Sequence, residues 1–182
     1  LWPVLILTGV ERASLAPDPN PFLVLHLDDF PWSHSLLMTV VWSALGAALV
    51  YATSRSRAGA TAVAIGVASH WVLDWVTHRP DMPLWPGGPE LGLRLWSSVV
   101  GTAIVEGLMY VAGVALYVRA TTAKNRRGAI GFWAFVIFLA LSYVGNLLGP
   151  PPPNMQVVGT SALVATALLL VWARWFDRHR TA

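Results

Sequence analysis

Long runs of apolar residues with almost no charge recur along this 182-residue chain. A helix rises about 1.5 Å per residue, so a run of about 20 residues spans the roughly 30 Å hydrocarbon layer of a bilayer. The runs therefore predict an all-α fold, a polytopic transmembrane helical bundle of about five spanning helices. We assign the predicted spans to residues of about 35–53, 58–77, 95–118, 129–149 and 155–175.

The remaining segments are predicted to be connections within a single membrane domain that covers residues 1–182. Residues 1–34 contain a short N-terminal apolar segment, too brief to span a bilayer, and then an outer loop broken by prolines. The chain begins at Leu1, inside an apolar run and without a methionine. We therefore expect further residues of the protein to precede Leu1.

The composition excludes several classes of protein. Only 12% of the residues are charged, whereas soluble domains carry about 25%. There is no cysteine, so disulfides and thiolate metal sites are excluded. The net charge is +3, but the basic residues form short clusters between apolar runs, which is typical of membrane topology. We expect the lipid bilayer as a partner and no nucleic acid.

Arginine and lysine are concentrated on one side of the predicted bundle. If the spans alternate, nine of the twelve basic residues share a side: Arg55, Arg57, Arg119, Lys124, Arg126, Arg127, Arg174, Arg178 and Arg180. The other side holds only Arg12, Arg79 and Arg94. Because cytoplasmic loops carry the excess of positive charge, the C-terminus is predicted to be cytoplasmic, and residues 11–34, 78–94 and 150–154 are predicted to face outward.

Three ionisable side chains recur every four residues in the second predicted span. His70, Asp74 and His78 share one face of a helix, because residues i and i+4 lie one above the other. Ionisable groups inside a membrane span are costly and are therefore functional hypotheses by default. Imidazole nitrogens and carboxylate oxygens are ligands that zinc and similar ions take. The stripe predicts a divalent metal site, with zinc or manganese as the ion.

The predicted topology brings a further histidine to the same level. His34 lies where the first span begins, and the second span ends on the same outer side. His34, Asp74 and His78 are therefore expected at similar depth. Asp29 in the adjoining loop and Glu106 in the third span are candidates for a catalytic base or for a group that orients a metal-bound imidazole.

Each of these residues also has a structural interpretation, which the sequence leaves open. His34 could place its ring at headgroup level, and His78 could belong to a solvated helix end. His70 and Asp74 could be a polar pair that holds helices together. Glu106 could be a structural hydrogen-bond partner or a proton carrier.

Five stretches of the sequence resemble a family of bacterial inner-membrane proteins described as membrane-bound metal-dependent hydrolases. The stretches are residues 34–37 (HSLL), 69–74 (SHWVLD), 78–88 (HRPDMPLWPGG), 93–97 (LRLWS) and 149–153 (GPPPP). The resemblance implies a multi-pass protein of the bacterial inner (plasma) membrane with His34, His70 and Asp74 as metal ligands. Family members also tend to carry acidic or histidine residues just before the equivalent of Leu1.

The leading interpretation is a metal-dependent hydrolase with a His/Asp site near the non-cytoplasmic face. The level of the site suggests a lipid or an envelope-linked substrate. One alternative is a non-enzymatic accessory subunit of a larger membrane protein complex, which short loops and many small residues favour. Another is a transporter or a haem-binding protein, in which Glu106 relays protons or two histidines hold haem.

Overall fold

The computed structural model describes residues 1–181, and helices dominate that part of the chain. Three pairs of short antiparallel strands accompany the helices. The helices are α1 (Trp2–Leu7), α2 (Pro31–His34), α3 (Leu36–Ser54), α4 (Arg57–Thr77), α5 (Val99–Ala120), α6 (Arg126–Leu148) and α7 (Met155–Asp177). The strands are β1 (Arg12–Leu15), β2 (Leu25–Asp29), β3 (Met82–Pro83), β4 (Glu90–Leu91), β5 (Thr122–Ala123) and β6 (Arg180–Thr181).

Four of the long helices, α3, α4, α6 and α7, begin where a polar side chain caps the first free backbone amides. Ser35 Oγ accepts a hydrogen bond from the amide of Met38 at the start of α3, and Ser56 does the same for Gly59 in α4. Asparagines take this position elsewhere, Asn125 before α6 and Asn154 before α7. Serine and asparagine are favoured there because their short side chains satisfy amides that lack an intrahelical partner.

Four helices are long and apolar enough to cross a membrane, namely α3, α5, α6 and α7. The predicted all-α polytopic bundle is therefore confirmed. Helix α4 has 21 residues, which is sufficient length, but it is not among the four. It carries Arg57, His70 and Asp74, and these side chains lower its mean hydropathy. That residues 58–77 cross the bilayer stays a prediction.

The helix ends depart from the predicted spans by only a few residues. The largest shift is at the third span, which begins at Val99 because Leu95–Ser97 forms a separate 3-10 turn. The prolines of the outer loop do not prevent pairing, since β1 and β2 form an antiparallel hairpin on either side of them. This segment, predicted to be a loop, therefore contains two strands.

The described helices fall into two compact units. The first contains residues 1–16 and 25–98. Its centre is the antiparallel pair α3 and α4, which are separated by only two residues. A small core of Phe30, Trp71 and Met82 lies near the end of α4, and Leu27, Trp75 and Leu84 pack against it. This core joins the strand segments to the helix that carries His70 and Asp74.

The second unit contains residues 17–24 and the described chain from Val99 onward. Aromatic rings pack together where the end of α5, the start of α6 and the end of α7 meet. Tyr117 stacks on Phe132 with 4.9 Å between ring centroids, and Phe176 packs edge-on against both. Tyr117 also donates a 2.6 Å hydrogen bond to Asp177. These contacts tie α5, α6 and α7 together.

Candidate metal site

Two imidazoles and one carboxylate converge in the first unit. His70 Nε2 lies 3.1 Å from Asp74 Oδ2, and His34 Nε2 lies 3.8 Å from the same oxygen. The rings of His34 and His70 are 5.2 Å apart between centroids. One ligand atom from each residue lies within 4.8 Å of the other two. We call these three residues the His–His–Asp cluster.

Local sequence places the three side chains at one end of the helix pair. His34 ends the single turn of α2, and Ser35 then caps α3, so the imidazole lies just before that helix. His70 and Asp74 are one turn apart on the last part of α4. Because α3 and α4 run antiparallel, the start of the first meets the end of the second.

A buried carboxylate fixes the orientation of His34 through a serine. Glu11 is 1% exposed and accepts from the amide of Ser33 at 2.7 Å and from its hydroxyl at 2.5 Å. Ser33 Oγ is also 2.6 Å from His34 Nδ1. Since the hydroxyl proton goes to Glu11, the hydroxyl oxygen accepts from Nδ1–H of the imidazole. This places the lone pair of His34 on Nε2, the nitrogen that faces Asp74.

The surroundings of His34 also keep its ring uncharged. Burial, the largest cause, together with repulsion from His70 and His78 lowers the pKa of His34 from 6.5 to about 3. Phe30 packs edge-on against the imidazole with 5.2 Å between centroids. A neutral imidazole is the form that binds a metal ion, so His34 is available as a ligand at physiological pH.

The donor set fits a divalent cation. Asp74 Oδ2 is buried and has no hydrogen-bond partner among the described residues, although two histidine nitrogens approach it. A buried carboxylate oxygen without a donor is costly, and a metal ion would satisfy it. Two imidazoles and one carboxylate match the three protein ligands of catalytic zinc sites, which leave a fourth position open.

The remaining predicted site residues are not part of the His–His–Asp cluster. His78 follows the end of α4; its Nδ1 is 3.2 Å from Asp81 Oδ1, and its ring packs on Trp96. Asp29 forms an ion pair with Arg12 at 3.1 Å. Glu106 belongs to the second unit, where it lines an apolar pocket on α5 and α6. The structure thus brings together His34, His70 and Asp74 from the predicted set.

Sequence reasoning missed Glu11 and Ser33. Twenty-two positions separate them, and no helical or strand period links them. The available signal was the acidic residue itself, because Glu11 directly follows the apolar run of residues 1–10. A carboxylate at the end of such a run is a candidate for burial with a polar partner.

Comparison with known protein families identifies one that matches this chain. The model of the YdjM inner membrane protein family matches residues 31–148, close to two thirds of the chain. The chain belongs to the YdjM inner membrane protein family. The region matched to YdjM includes all three residues of the His–His–Asp cluster, whereas Glu11 and Asp29 precede it. No curated protein matches the chain. No solved structure matches it either.

Membership of the YdjM family agrees with the physical character of the helices. Four apolar helices of membrane-spanning length identify a multi-pass protein, and the family description places it in the inner membrane. The protein therefore lies in a lipid bilayer, as predicted from the sequence.

Proposed function

We propose that this chain is a metal-dependent hydrolase in which His34, His70 and Asp74 hold one divalent ion, zinc or manganese. The observation that supports the proposal most directly is the convergence of the His–His–Asp cluster, whose ligand atoms lie within 4.8 Å of one another. The buried oxygen of Asp74 without a hydrogen-bond donor supports it further.

Hydrolysis is the chemistry that such a donor set favours. A divalent ion held by three protein ligands would lower the pKa of a bound water molecule to about 7, so that this water could act as a nucleophile at neutral pH. The chain's own contribution is to hold the ligands in place. Glu11 and Ser33 fix the His34 imidazole, and α4 fixes the one-turn spacing of His70 and Asp74.

We further propose that the site lies near the non-cytoplasmic face. The distribution of arginine and lysine supports this orientation, because nine of the twelve basic residues lie in or next to the α3–α4 connection, the α5–α6 connection and the C-terminal segment. The cluster lies at the opposite end of the α3–α4 pair from that basic loop.

Metal content provides the direct test. The full chain is purified in detergent, stripped with a chelator, loaded with zinc or manganese, and measured by mass spectrometry. We expect about one ion per chain, and a loss of about tenfold or more in affinity for His34→Ala, His70→Ala and Asp74→Ala, since each removes a ligand.

Two further histidine variants sharpen the test. His26→Ala is a matched control, because His26 lies on β2 and contacts Arg79 rather than the cluster. His78→Ala tests whether His78 is a ligand, as the sequence predicts. We expect this variant to retain the metal because His78 pairs with Asp81. Unchanged metal content in both His70→Ala and Asp74→Ala would refute the metal site and leave the accessory-subunit interpretation.

A further inference from the structure

An apolar pocket opens beside the His–His–Asp cluster in the first unit. Its volume is about 490 Å³, within the range of small-molecule sites in proteins. Trp2, Trp42 and Val67 supply apolar walls, and His34 and His70 line the same space. A molecule in this pocket would therefore lie against two of the three proposed ligands.

Two polar atoms of the pocket-lining residues have no partner among the described residues. Thr39 is 2% exposed, and its Oγ1 makes no hydrogen bond. Trp2 Nε1 is likewise buried and unpaired. Buried polar groups are nearly always satisfied, so a ligand acceptor that reaches these two lining residues would be favoured. A carbonyl oxygen, which has two lone pairs, fits two donors.

The pocket contains no cationic side chain among its described lining residues. Sites for phosphate esters usually supply arginine, lysine or a second metal ion to neutralise the anionic oxygens, and the His–His–Asp cluster is proposed to hold one ion only. An apolar wall without such groups favours a reacting group that carries no charge. A carboxylic ester is therefore a better match to this pocket than a phosphoester.

The position of the pocket along α3 indicates where its ligand comes from. Thr39 and Trp42 lie in the first two turns of this apolar helix. Helix ends of this kind lie where hydrocarbon meets headgroups, and tryptophans are enriched at that level. A lipid presents the bond between its acyl chain and its headgroup at the same depth.

Building on the proposed hydrolase function, we propose that this pocket binds the acyl chain of a lipid carboxylic ester. Thr39 Oγ1 and Trp2 Nε1 donate hydrogen bonds to the ester carbonyl oxygen. Hydrolysis joins the water oxygen to the carbonyl carbon, breaks the bond from that carbon to the alkoxy oxygen, and delivers a water proton to the departing alcohol. The products are a fatty acid and an alcohol.

Binding is tested first without any metal, so that no reaction occurs. The metal-stripped full chain in lipid nanodiscs is irradiated with a glycerol fatty-acyl ester that carries a diazirine in its acyl chain, and labelled peptides are mapped. We expect label on the α3 and α4 segments around Trp42 and Val67. Val67→Trp fills the pocket and should lower that label at least about fivefold. Ile65→Trp on the same helix, at an exposed position outside the pocket, should not.

The polar contact is tested with Thr39→Val, which keeps the shape of the side chain and removes its hydroxyl. We expect kcat/KM for ester hydrolysis by the metal-loaded protein to fall about tenfold, because one hydrogen bond to the substrate is lost. Metal content should stay at the wild-type level. The thermal unfolding temperature should stay the same or rise, because the hydroxyl makes no hydrogen bond in the unliganded fold. A drop in that temperature would assign Thr39 a structural role and overturn its part in binding.

Chain length distinguishes this inference from the proposed function. The metal-loaded protein is assayed with p-nitrophenyl esters of two-carbon and ten-carbon acids and with bis(p-nitrophenyl) phosphate. We expect a preference for the ten-carbon ester that Val67→Trp removes and Ile65→Trp retains. Cleavage of the phosphodiester alone would uphold the hydrolase and overturn the ester inference. One bound ion with no cleavage of any substrate, or no bound ion at all, would overturn both.

Discussion

The Glu11–Ser33–His34 contact orients one of the three proposed metal ligands. A lone imidazole rotates and exchanges its proton between two nitrogens, and only one arrangement suits a given ion. Here the serine hydroxyl points to a buried carboxylate, so the imidazole has only one favourable protonation pattern. Partners of this kind are worth about 10- to 100-fold in metal affinity in well-studied sites.

We therefore expect Ser33→Ala to weaken zinc binding about 10-fold or more, because Nδ1 loses the acceptor that orients the ring. Glu11→Gln should also weaken it, since an amide accepts only one of the two hydrogen bonds from Ser33. Competition with a chromophoric chelator measures the affinity. Ser14→Ala is the matched control, because Ser14 on β1 donates to Asp28 on the paired strand β2 and not to Glu11 or His34. Equal affinity in the wild type and Ser33→Ala would contradict this positioning role.

At the scale of elements, small residues decide how closely helices approach in a membrane, where apolar surface alone gives little attraction between them. In the first unit, Ser43 of α3 donates a 2.7 Å hydrogen bond to the carbonyl of Ala64 on α4. In the second unit, a Cβ on Gly131 of α6 would lie 2.5 Å from the Trp175 ring on α7. Glycine at that position is required by the closeness of the two helices.

Gly131→Ala should therefore destabilise the second unit by about 1–3 kcal/mol, the usual cost of overpacking. Gly145→Ala on the same helix is the matched control, since a Cβ there meets nothing within 4 Å. That control should be neutral or stabilising by up to about 1 kcal/mol, because alanine favours helix more than glycine does. Thermal unfolding in detergent compares the two variants. An equal effect of both substitutions would argue against the close α6–α7 contact.

For the whole molecule, the property to test is the membrane topology, that is, which connections lie on each side of the bilayer. The chain has no cysteine, so each introduced cysteine is a unique thiol. Exposed positions occur in each predicted connection: Ser54, Glu90, Thr122 and Pro152. The positive-inside rule predicts that the first and third of these face the cytoplasm and the others face outward.

In spheroplasts treated with a membrane-impermeant maleimide, we expect Glu90→Cys and Pro152→Cys to be labelled. Ser54→Cys and Thr122→Cys should react only after permeabilisation. Ser54 and Glu90 flank α4, so this pair also tests whether that helix crosses the membrane. Labelling of both without permeabilisation would show that it does not, and reversal of all four would invert the proposed orientation.

The sequence predicted those features that depend on local pattern. Charge-free runs located the helices, and the four-residue spacing of His70 and Asp74 placed both on one face. The same spacing rule fails for His78, because the helix ends at Thr77 and the extended backbone of His78 takes its ring toward Asp81. Glu11 was missed because its partner Ser33 lies across a strand pair that only tertiary packing brings together.

The two-residue connection between α3 and α4 has a consequence for biosynthesis. All three residues of the His–His–Asp cluster, as well as Glu11 and Ser33, precede residue 75. All three proposed metal ligands have therefore been synthesised before α5 is translated, and the single turn of α2 with the α3–α4 pair brings them together. The order of translation would allow the proposed ion to bind while the later helices are still entering the bilayer.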